Sequence, residues 1–500
     1  MPLTRPDAPA LRPEVADPPA GATARRSAPS TRPPWPSALI PAVFTLVLGL
    51  WGLTRRGSMW RDEAVTYDMA QRDISGLLDT LAGVDAVHGL YYLLMHGVFG
   101  VFGDSLVALR LPSLLAMSAA AAGVALLGRR LAGPRAGLLA GLAFALLPDV
   151  QRYAQEGRSY ALVCAAVVWA TWLFVRALDE RGTRLWAAYG TVALAACLLH
   201  EFAVLAVAAH GATLRIMPSS RNALRAWTWT AGAVAAALAP LAVVSSRQSE
   251  QVAWIGPPGP GALLGYVVPA LAGLLCAALL PAGARRLRAL ALPLLILPGG
   301  VLLLSSAIVP LYVSRYVLYE EAGLALLLGA TLDHLWRRRY QRHLLAALAA
   351  AAVLVALVPV GLHLRGPESR KDDLGAIARA VQAQGRPGDG LLFMPGRRRV
   401  WQAADPAAFA GLVDLAARTD PRASDTLYGV ELPAAAIRAR MLAADRIVVL
   451  HDPAGEPVEA GAQEKVKRDV LRGHFRLCES TEVRGARVTL YARPGLCDPA

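Results

Sequence analysis

The sequence predicts an α-helical polytopic membrane protein that ends in a small α/β domain. Apolar runs of about 18–25 residues recur up to residue 364, and a membrane-crossing helix needs about 20 such residues. After residue 364, short apolar strands alternate with helical stretches, which is typical of an α/β domain. Because 55% of the 500 residues are hydrophobic, many spans are expected ahead of that domain.

The basic charge of the chain lies mainly in short loops. A net charge of +14 would by itself suit a nucleic-acid-binding protein. The arginines, however, cluster between the apolar runs, as the positive-inside rule expects. We therefore expect a lipid bilayer as a partner and no nucleic acid.

The five cysteines fit neither a metal site nor a disulfide framework. Three of them lie in apolar runs, where a thiol packs as a small apolar group. Cys478 and Cys497 lie in the tail and pair only if the tail faces an oxidising compartment. The sequence alone leaves that pairing open.

The apolar runs and the arginines together give a topology. Residues 1–36 are rich in Pro, Ala and Arg, so we expect this segment to be disordered. Arg25, Arg26 and Arg32 place it in the cytoplasm. The predicted spans, about eleven, are 37–54, 106–128, 135–151, 158–177, 185–200, 201–217, 226–245, 261–282, 288–309, 317–336 and 343–363. They complete a domain over 37–363 in the plasma membrane and leave residues 364–500 extracytoplasmic.

This topology makes residues 55–105 one long external loop. Residues 88–102 are apolar but short for a span, which favours an interfacial or re-entrant helix. Residues 62–81 carry apolar side chains at roughly helical spacing and predict an amphipathic helix. Asp62 and Glu63 open that helix. They are either functional acids at the membrane face or only the acids that suit a helix N-terminus.

The tail is interpreted as an accessory domain. No Gly-x-Gly-x-x-Gly or phosphate-binding Lys-Ser/Thr motif occurs in its sequence. The predicted strands and helices are strands near 391–394, 445–450, 475–477 and 488–491, and helices near 404–418 and 459–473.

The other external loops are short and carry several kinds of polar side chain. Such groups are costly beside apolar spans unless they have partners. The candidates are Glu156, Arg158, Tyr160, His200, Glu201, Arg315 and Tyr316. All are expected on the same side as Asp62, because the cytoplasmic loops carry mainly arginine.

Five motifs occur in an order that resembles a known superfamily. They are Trp60–Ala64 (WRDEA), His88–Tyr92 (HGLYY), Leu109–Ser113 (LRLPS), Tyr153–Tyr160 (YAQEGRSY) and Ser314–Tyr316 (SRY). Over about residues 37–340 the chain resembles the GT-C superfamily of integral-membrane glycosyltransferases. It is most similar to the family 39 branch of protein mannosyltransferases and bacterial aminoarabinose-transferase-like enzymes, and the tail resembles that of actinobacterial members.

The resemblance implies an inverting transfer of a sugar, such as mannose, from a polyprenyl-phosphate-linked donor. The acceptor would be a hydroxyl of a glycan, lipid or protein at the external membrane face. The acidic pair would match the family's motif in the first external loop. Two positions depart from the family pattern: Gly89, where many relatives carry Pro-Pro or similar after the His, and Gly157, which is often Ala. These departures would alter acceptor fit rather than the chemistry.

Such a transfer needs a base for the acceptor hydroxyl and a cation for the departing phosphate. Asp62 is the predicted base, and Glu63 is predicted to orient or bind the sugar, because adjacent helical residues point about 100° apart. The reverse assignment stays open. Arg315 is the predicted phosphate clamp, with an arginine that snorkels from a helix end as the alternative. Arg158 is a second clamp candidate unless it pairs with Glu156.

Four other polar residues are predicted to contact substrate. His88 and Tyr91 would line the acceptor side, with interfacial anchoring as the alternative. His200 and Glu201 are read either as a substrate contact or as a satisfied structural pair. No His/Cys/Asp cluster has metal-ligand spacing. Because arginine can hold the leaving phosphate, we expect no metal and no cofactor.

Two other functions are alternatives. A lipid or glycolipid transporter or flippase would favour internal repeats and broken helices near the membrane midplane, whereas the polar motifs here lie at one face. A non-catalytic scaffold that displays the tail would tolerate substitution of the acidic loop.

Overall fold

A computed structural model describes residues 35–217, 220–249, 255–337 and 355–497. The expected disorder of residues 1–36 falls outside the described residues up to residue 34. The same is true of the first part of the predicted span 343–363, up to residue 354.

The polytopic helical fold predicted from the apolar runs is confirmed. Up to the tail, the helices are α1 (Trp35–Leu50), α2 (Arg61–Gln71), α3 (Ile74–Gly83), α4 (Gly89–Phe102), α5 (Leu106–Ala132), α6 (Pro134–Leu146), α7 (Pro148–Ala154), α8 (Tyr160–Glu180), α9 (Thr183–Leu199), α10 (Val204–Ile216), α11 (Arg221–Arg247), α12 (Pro260–Leu279), α13 (Arg285–Ser305), α14 (Glu320–Trp336) and α15 (Val355–Leu364). Within the described ranges, six are long and apolar enough to cross a membrane: α1, α5, α8, α11, α12 and α13. The helices α6, α9 and α15 are apolar but shorter.

Helix α5 lies at the centre of the membrane domain and packs against α1, α6 and α8. The contact between α5 and α6 depends on a glycine. A Cβ atom on Gly137 of α6 would lie 2.3 Å from the carbonyl oxygen of Ala125 in α5. The two backbones therefore approach as closely as small residues allow, which is the usual way for helices to pack in a bilayer.

The segment 55–105, predicted as the first external loop, forms two helices where one amphipathic helix was expected over 62–81. The backbone of Arg72 is extended and ends α2. The carboxylate of Asp73 then caps α3 by accepting the N–H of Gly76 at 3.2 Å. The helix expected over 88–102 is present as α4.

The tail is an α/β domain with three helices and two sheets. Its elements are α16 (Leu374–Gln384), β1 (Gly390–Met394), β2 (Val413–Asp414), β3 (Ala417–Thr419), β4 (Val430–Glu431), α17 (Ala434–Ala443), β5 (Arg446–His451), α18 (Ala462–His474), β6 (Arg476–Val483) and β7 (Ala486–Ala492). The main sheet has the order β2-β1-β5-β7-β6, with β1 parallel to β2 and β5, and with β7 antiparallel to β5 and β6. Strands β3 and β4 pair separately.

The helix expected near 404–418 is wrong. Short 3₁₀ turns occupy Gly396–Ala404 and Pro406–Phe409, and β2 and β3 follow them. Asp405 precedes a proline and has φ −153°, since a pre-proline residue avoids the helical region. Gly411 has φ +84°, which also breaks a helix. Helices α16 and α17 have no counterpart among the elements predicted from the sequence.

The tail packs directly on the start of α2. The hydroxyl of Ser58 donates to Asp373 at 2.6 Å, and the N–H of Leu374 donates to the carbonyl of Met59 at 3.1 Å. The buried guanidinium of Arg72 donates to the carbonyl of Thr426 at 2.7 Å. These contacts join residues more than 300 positions apart in sequence, so the tail holds the loop that carries the acidic pair.

Cys478 and Cys497 form a disulfide in this tail, which answers the question that their sequence positions left open. Cys164, Cys197 and Cys276 are free and buried, as expected for packing residues.

Candidate active site

The structure brings Asp62 and Arg315 together. Asp62 lies in the first turn of α2, and Arg315 lies in a 3₁₀ turn, Ser314–Val317, just before α14. Nη2 of Arg315 is 3.7 Å from Oδ2 of Asp62, and Nε of Arg61 is 3.6 Å from Oδ1. The Asp62 side chain is 17% exposed. A partly open carboxylate therefore lies between two guanidinium groups.

Aromatic rings surround the Arg315 guanidinium. Its central carbon lies 6.0 Å from the ring of Trp60, 5.6 Å from that of Tyr160 and 5.5 Å from that of Tyr316. Nε of Arg315 also donates to the hydroxyl of Tyr160 at 3.2 Å. The His200 ring packs against that of Tyr316, with 4.5 Å between centroids and 40° between the ring planes. Cation–π contacts of this kind favour a fixed, partly desolvated charge.

Arg158 is held by a second polar network behind this enclosure. Its Nη2 lies 2.8 Å from Nε2 of His88, and its Nη1 donates to the Tyr92 hydroxyl at 3.1 Å. Nδ1 of His88 donates to Asp85 at 2.9 Å, and Tyr92 donates to the same carboxylate. With Asp85 on Nδ1, the other ring nitrogen accepts from the arginine, so His88 is neutral.

Burial, followed by the charge of Arg158, lowers the pKa of His88. Burial alone would raise the pKa of Asp85, but its contacts with His88 and Arg158 lower it. The network thus pairs one arginine with one ionised carboxylate through a neutral imidazole. Burial, with His88 and Arg158 nearby, also lowers the pKa of His200 well below its usual range.

Glu63, unlike its neighbour Asp62, is not exposed, because cationic side chains enclose it. Arg110 binds it through two hydrogen bonds of 2.7 Å, Arg55 forms a close ion pair with it, and the Gly157 amide donates to it at 2.9 Å. The side chain is fully buried. Burial by itself would raise the pKa of Glu63, but Arg110, Arg55 and the Gly157 amide outweigh burial and lower this pKa to about 2.

Three further predicted residues are buried or held by partners elsewhere. Glu156 is buried and pairs with Arg370 of the tail at 3.2 Å, not with Arg158. Burial raises the pKa of Glu156, although Arg370 opposes this. Tyr91 is fully buried in the core. Glu201 accepts a hydrogen bond from the hydroxyl of Ser245 in α11 at 2.7 Å, so it is not paired with His200.

Sequence reasoning missed several members of the site. Asp85 comes three residues before His88, and this spacing is a usable signal for a carboxylate–imidazole pair. Asp372 and Lys371 come from the tail and had no such signal. Asp372 accepts the N–H of Arg61 at 3.3 Å. Burial, followed by the charges of Arg315 and Arg61, lowers the pKa of Lys371, so this amine of the tail lies near both guanidinium groups and loses its proton more readily than an isolated lysine.

At both positions that depart from the family pattern, Gly89 and Gly157, neighbouring side chains leave little room for a Cβ atom. A Cβ atom on Gly157 would lie 2.5 Å from Cγ of Leu109, and one on Gly89 would lie 3.0 Å from a methyl group of Leu81. Gly157 also donates its amide to Glu63. Its small size therefore lets the loop approach α5 closely enough to reach that carboxylate. Within the described segments, no group of three or more His, Cys, Asp or Glu residues is arranged to hold a metal.

Comparison with solved structures defines the fold class. The crystal structure of ArnT from Cupriavidus metallidurans bound to undecaprenyl phosphate has a TM-score of 0.57 and 14% identity, over 92% of this chain and 99% of that chain. The apo form of the same protein has a TM-score of 0.59 and 13% identity, over 92% and 98%. The apo oligosaccharyltransferase of Archaeoglobus fulgidus has a TM-score of 0.52 and 11% identity, over 90% and 80%.

These likenesses give the chain the GT-C fold. At the level of sequence, residues 90–245 match the family described as dolichyl-phosphate-mannose-protein mannosyltransferase. No curated protein matches the chain significantly. The chain therefore has the fold of the GT-C membrane glycosyltransferases, and residues 90–245 are similar in sequence to that mannosyltransferase family.

Proposed function

We propose that the protein transfers a sugar from a polyprenyl-phosphate-linked donor to an acceptor hydroxyl at the external membrane face, with inversion. The solved ArnT structure, whose fold this chain shares, holds undecaprenyl phosphate, which supports a donor of that chemical class. The matched family is named for a mannose donor, so mannose is the sugar to test first. The acceptor belongs to a glycan, a lipid or a protein.

The contact between Asp62 and Arg315 carries this proposal. Asp62 takes the proton of the acceptor hydroxyl as its oxygen attacks the anomeric carbon. The bond from that carbon to the phosphate oxygen breaks, and the lipid phosphate leaves with the electron pair. Arg315 binds the phosphate through its paired donors and stabilises the charge that develops on it.

Inversion requires the attacking and leaving oxygens to lie on opposite sides of the anomeric carbon. The base and the clamp must therefore flank the sugar, and their contact has to open when the donor enters. A separation of 3.7 Å is longer than a strong charge-assisted hydrogen bond, so this opening costs little. A phosphate then replaces the carboxylate as the partner of Arg315.

Asp62 is assigned as the base because the neighbouring polar side chains are already engaged in other contacts. Glu63 is buried and held by two arginines and a backbone amide, so we assign it a positioning role. Arg158 is engaged by His88 and Tyr92, so it fixes the wall of the site instead of binding the phosphate.

The other predicted residues either line the site or support its wall. Tyr160, Tyr316 and His200 line the enclosure around Arg315, and their faces suit the apolar face of a sugar ring or the first lipid carbons. Tyr91, Glu156 and Glu201 support the wall by packing and hydrogen bonding.

We also propose that the N-terminus is cytoplasmic and the tail extracytoplasmic in the plasma membrane. The Cys478–Cys497 disulfide supports this orientation, because disulfides persist in oxidising compartments. The arginine-rich loops support it independently. We expect catalysis without a metal, since Arg315 provides the charge that a cation would otherwise supply.

The test uses purified full-length protein in detergent with radiolabelled polyprenyl-phosphate mannose and lipid, glycan and peptide acceptors. The Asp62→Asn variant should lose transfer, while Asp79→Asn should keep it, since Asp79 is an exposed carboxylate of the same loop. Full activity of Asp62→Asn would reject the base assignment. Movement of labelled lipid across vesicles without any glycoside product would favour a flippase instead.

A further inference from the structure

A second cavity lies in the tail, where the parallel strands β1 and β5 end. The chain leaves β1 toward β2 on one side, whereas β5 lies on the other side. The carboxyl ends of the two strands, Met394 and His451, line a cavity of about 470 Å³. In open α/β sheets, ligands bind in the crevice at such a switch of strand order. The volume falls within the roughly 300–1,000 Å³ of small-ligand pockets.

Three arginines line this cavity. Arg468 and Arg472 lie one turn apart on α18, and Arg487 lies on β7. Among the residues that the structure covers, none of the three forms an ion pair with a carboxylate. The buried Nε of Arg487 also has no hydrogen-bond partner there. A buried donor without an acceptor is costly, so the site is suited to a ligand that brings an oxyanion.

The carboxylates of the same cavity are mostly occupied. Asp452 and Glu459 each lie 3.0 Å from Arg397, and Glu464 lies 2.7 Å from Lys467. The fourth carboxylate, Glu456, is exposed and forms no ion pair among the described residues. The unpaired charge of the cavity wall is therefore three arginines against one glutamate, and it is mainly positive. These carboxylates can also accept hydrogen bonds from hydroxyl groups of a ligand.

His451 and Tyr491 complete the polar wall. His451 is the cross-strand partner of Arg487, and its buried Nε2 has no hydrogen-bond partner among the described groups. Burial, followed by the charge of Arg487, lowers the pKa of His451 to about 4. The imidazole is therefore neutral at physiological pH and can both donate to and accept from hydroxyl groups. The Tyr491 ring lies 6.4 Å from it and offers an apolar face.

From this arrangement we infer that the cavity binds an acidic glycan, one that carries a carboxylate or phosphate on a hydroxyl-rich chain. The arginines bind the anion, and the neutral imidazole, the phenol and the carboxylates bind hydroxyl groups. A chain of contacts also links the wall of the cavity to α2. Asp452 pairs with Arg398, which belongs to the 3₁₀ segment Gly396–Ala404 that packs on α2. A glycan in the cavity would therefore contact Asp452, whose partner Arg398 lies in a segment that packs on the helix of Asp62.

The experiment measures equilibrium binding of three probes to full-length protein in detergent, without any donor lipid. The probes are trigalacturonate, the neutral trisaccharide maltotriose and inorganic phosphate. We expect saturable binding of trigalacturonate, about tenfold or more tighter than maltotriose, because charge-assisted hydrogen bonds discriminate to this extent. Since no transfer is measured, a failure here is distinct from a failure of the proposed function.

The variants test which residues are responsible. Arg468→Gln combined with Arg472→Gln should weaken trigalacturonate binding by about tenfold or more, and so should Arg487→Gln alone. Arg438→Gln is the matched control, since Arg438 is exposed on α17 and does not line the cavity. Thermal unfolding of each variant confirms that it is folded.

Several outcomes would overturn the inference. Equal affinity for trigalacturonate and maltotriose would show that the anion is not recognised. Binding of phosphate alone would show that the glycan chain is not recognised. Equal losses of affinity in Arg438→Gln and in the cavity variants would show that this cavity is not the binding site.

Discussion

The adjacent acids Asp62 and Glu63 should fail in different ways when each is neutralised. Glu63→Gln leaves Arg55 and Arg110 buried without their counterion. The change in the Glu63 pKa from 4.5 to about 2 corresponds to about 3 kcal/mol at neutral pH, because one pKa unit is worth about 1.4 kcal/mol. Removing one partner of a buried ion pair typically costs about 3–5 kcal/mol, which agrees. Glu63→Gln should therefore destabilise the folded protein strongly.

Asp62→Asn should leave the thermal unfolding midpoint near that of the wild type and should abolish transfer. Its ion pairs are longer, 3.6 and 3.7 Å, and its side chain is partly exposed, so it contributes less to stability than the fully buried ion pairs of Glu63. The assay measures the unfolding midpoint in detergent and the labelled glycoside product for both variants. Glu368→Gln is the matched stability control: Glu368 is 57% exposed and 3.9 Å from Arg56, and such a pair is worth at most about 1 kcal/mol.

The reasoning would be refuted by a Glu63→Gln protein that unfolds with the wild-type midpoint. It would also be refuted by an Asp62→Asn protein that loses as much stability as Glu63→Gln, because the two acids would then share one structural role. A Glu63→Gln protein of normal stability that lacked transfer would assign the chemistry to Glu63.

Four other outcomes are expected. Arg315→Lys keeps the charge but loses the paired donors, so kcat/KM for the lipid donor should fall by about 10- to 100-fold in steady-state assays, with the fold intact. Thermal stability should fall as the pH drops from about 4.5 toward 2, because the lowered pKa of Glu63 stabilises the fold only while this acid is ionised; Glu63→Gln should show a smaller dependence, since the lowered pKa of Asp85 remains. Replacing Cys478 and Cys497 by Ser, which opens a 19-residue separation, should lower the stability of the tail by about 3 kcal/mol in chemical denaturation. EDTA should leave transfer unchanged, and restoration of a lost activity by Mg²⁺ or Mn²⁺ would contradict the arginine-only clamp.

Much of the membrane domain could be predicted because apolar length is a strong, local signal. The predicted spans 158–177 and 261–282 coincide closely with α8 and α12. The signal weakens where a backbone break interrupts an apolar run. The span expected over 135–151 divides into α6 and α7 at Leu147, just before Pro148, since a residue before proline avoids the helical conformation.

The meeting of Asp62 and Arg315 could be anticipated, because the arginine pattern places both loops on one side of the bilayer. The enclosure of Glu63 could not. It depends on Arg55, which follows the first apolar helix in a turn with φ +44°, and on Arg110 in α5, which is 47 positions away from Glu63 in sequence. Helix rotation and distant partners decide which of two neighbouring carboxylates stays partly exposed. Neither factor is visible in a local motif.

The tail has a larger part in the site than an accessory domain would require. Arg370 is the ion-pair partner of the buried Glu156, and Asp372 and Asp373 cap the turn that leads into α2. Glu156 lies next to Gly157, whose amide holds Glu63, and two residues before Arg158, whose guanidinium holds His88. Removing the tail would leave Glu156 buried without a cation and would free the start of α2. The position of Asp62 relative to Arg315 therefore depends on a domain that contributes neither group.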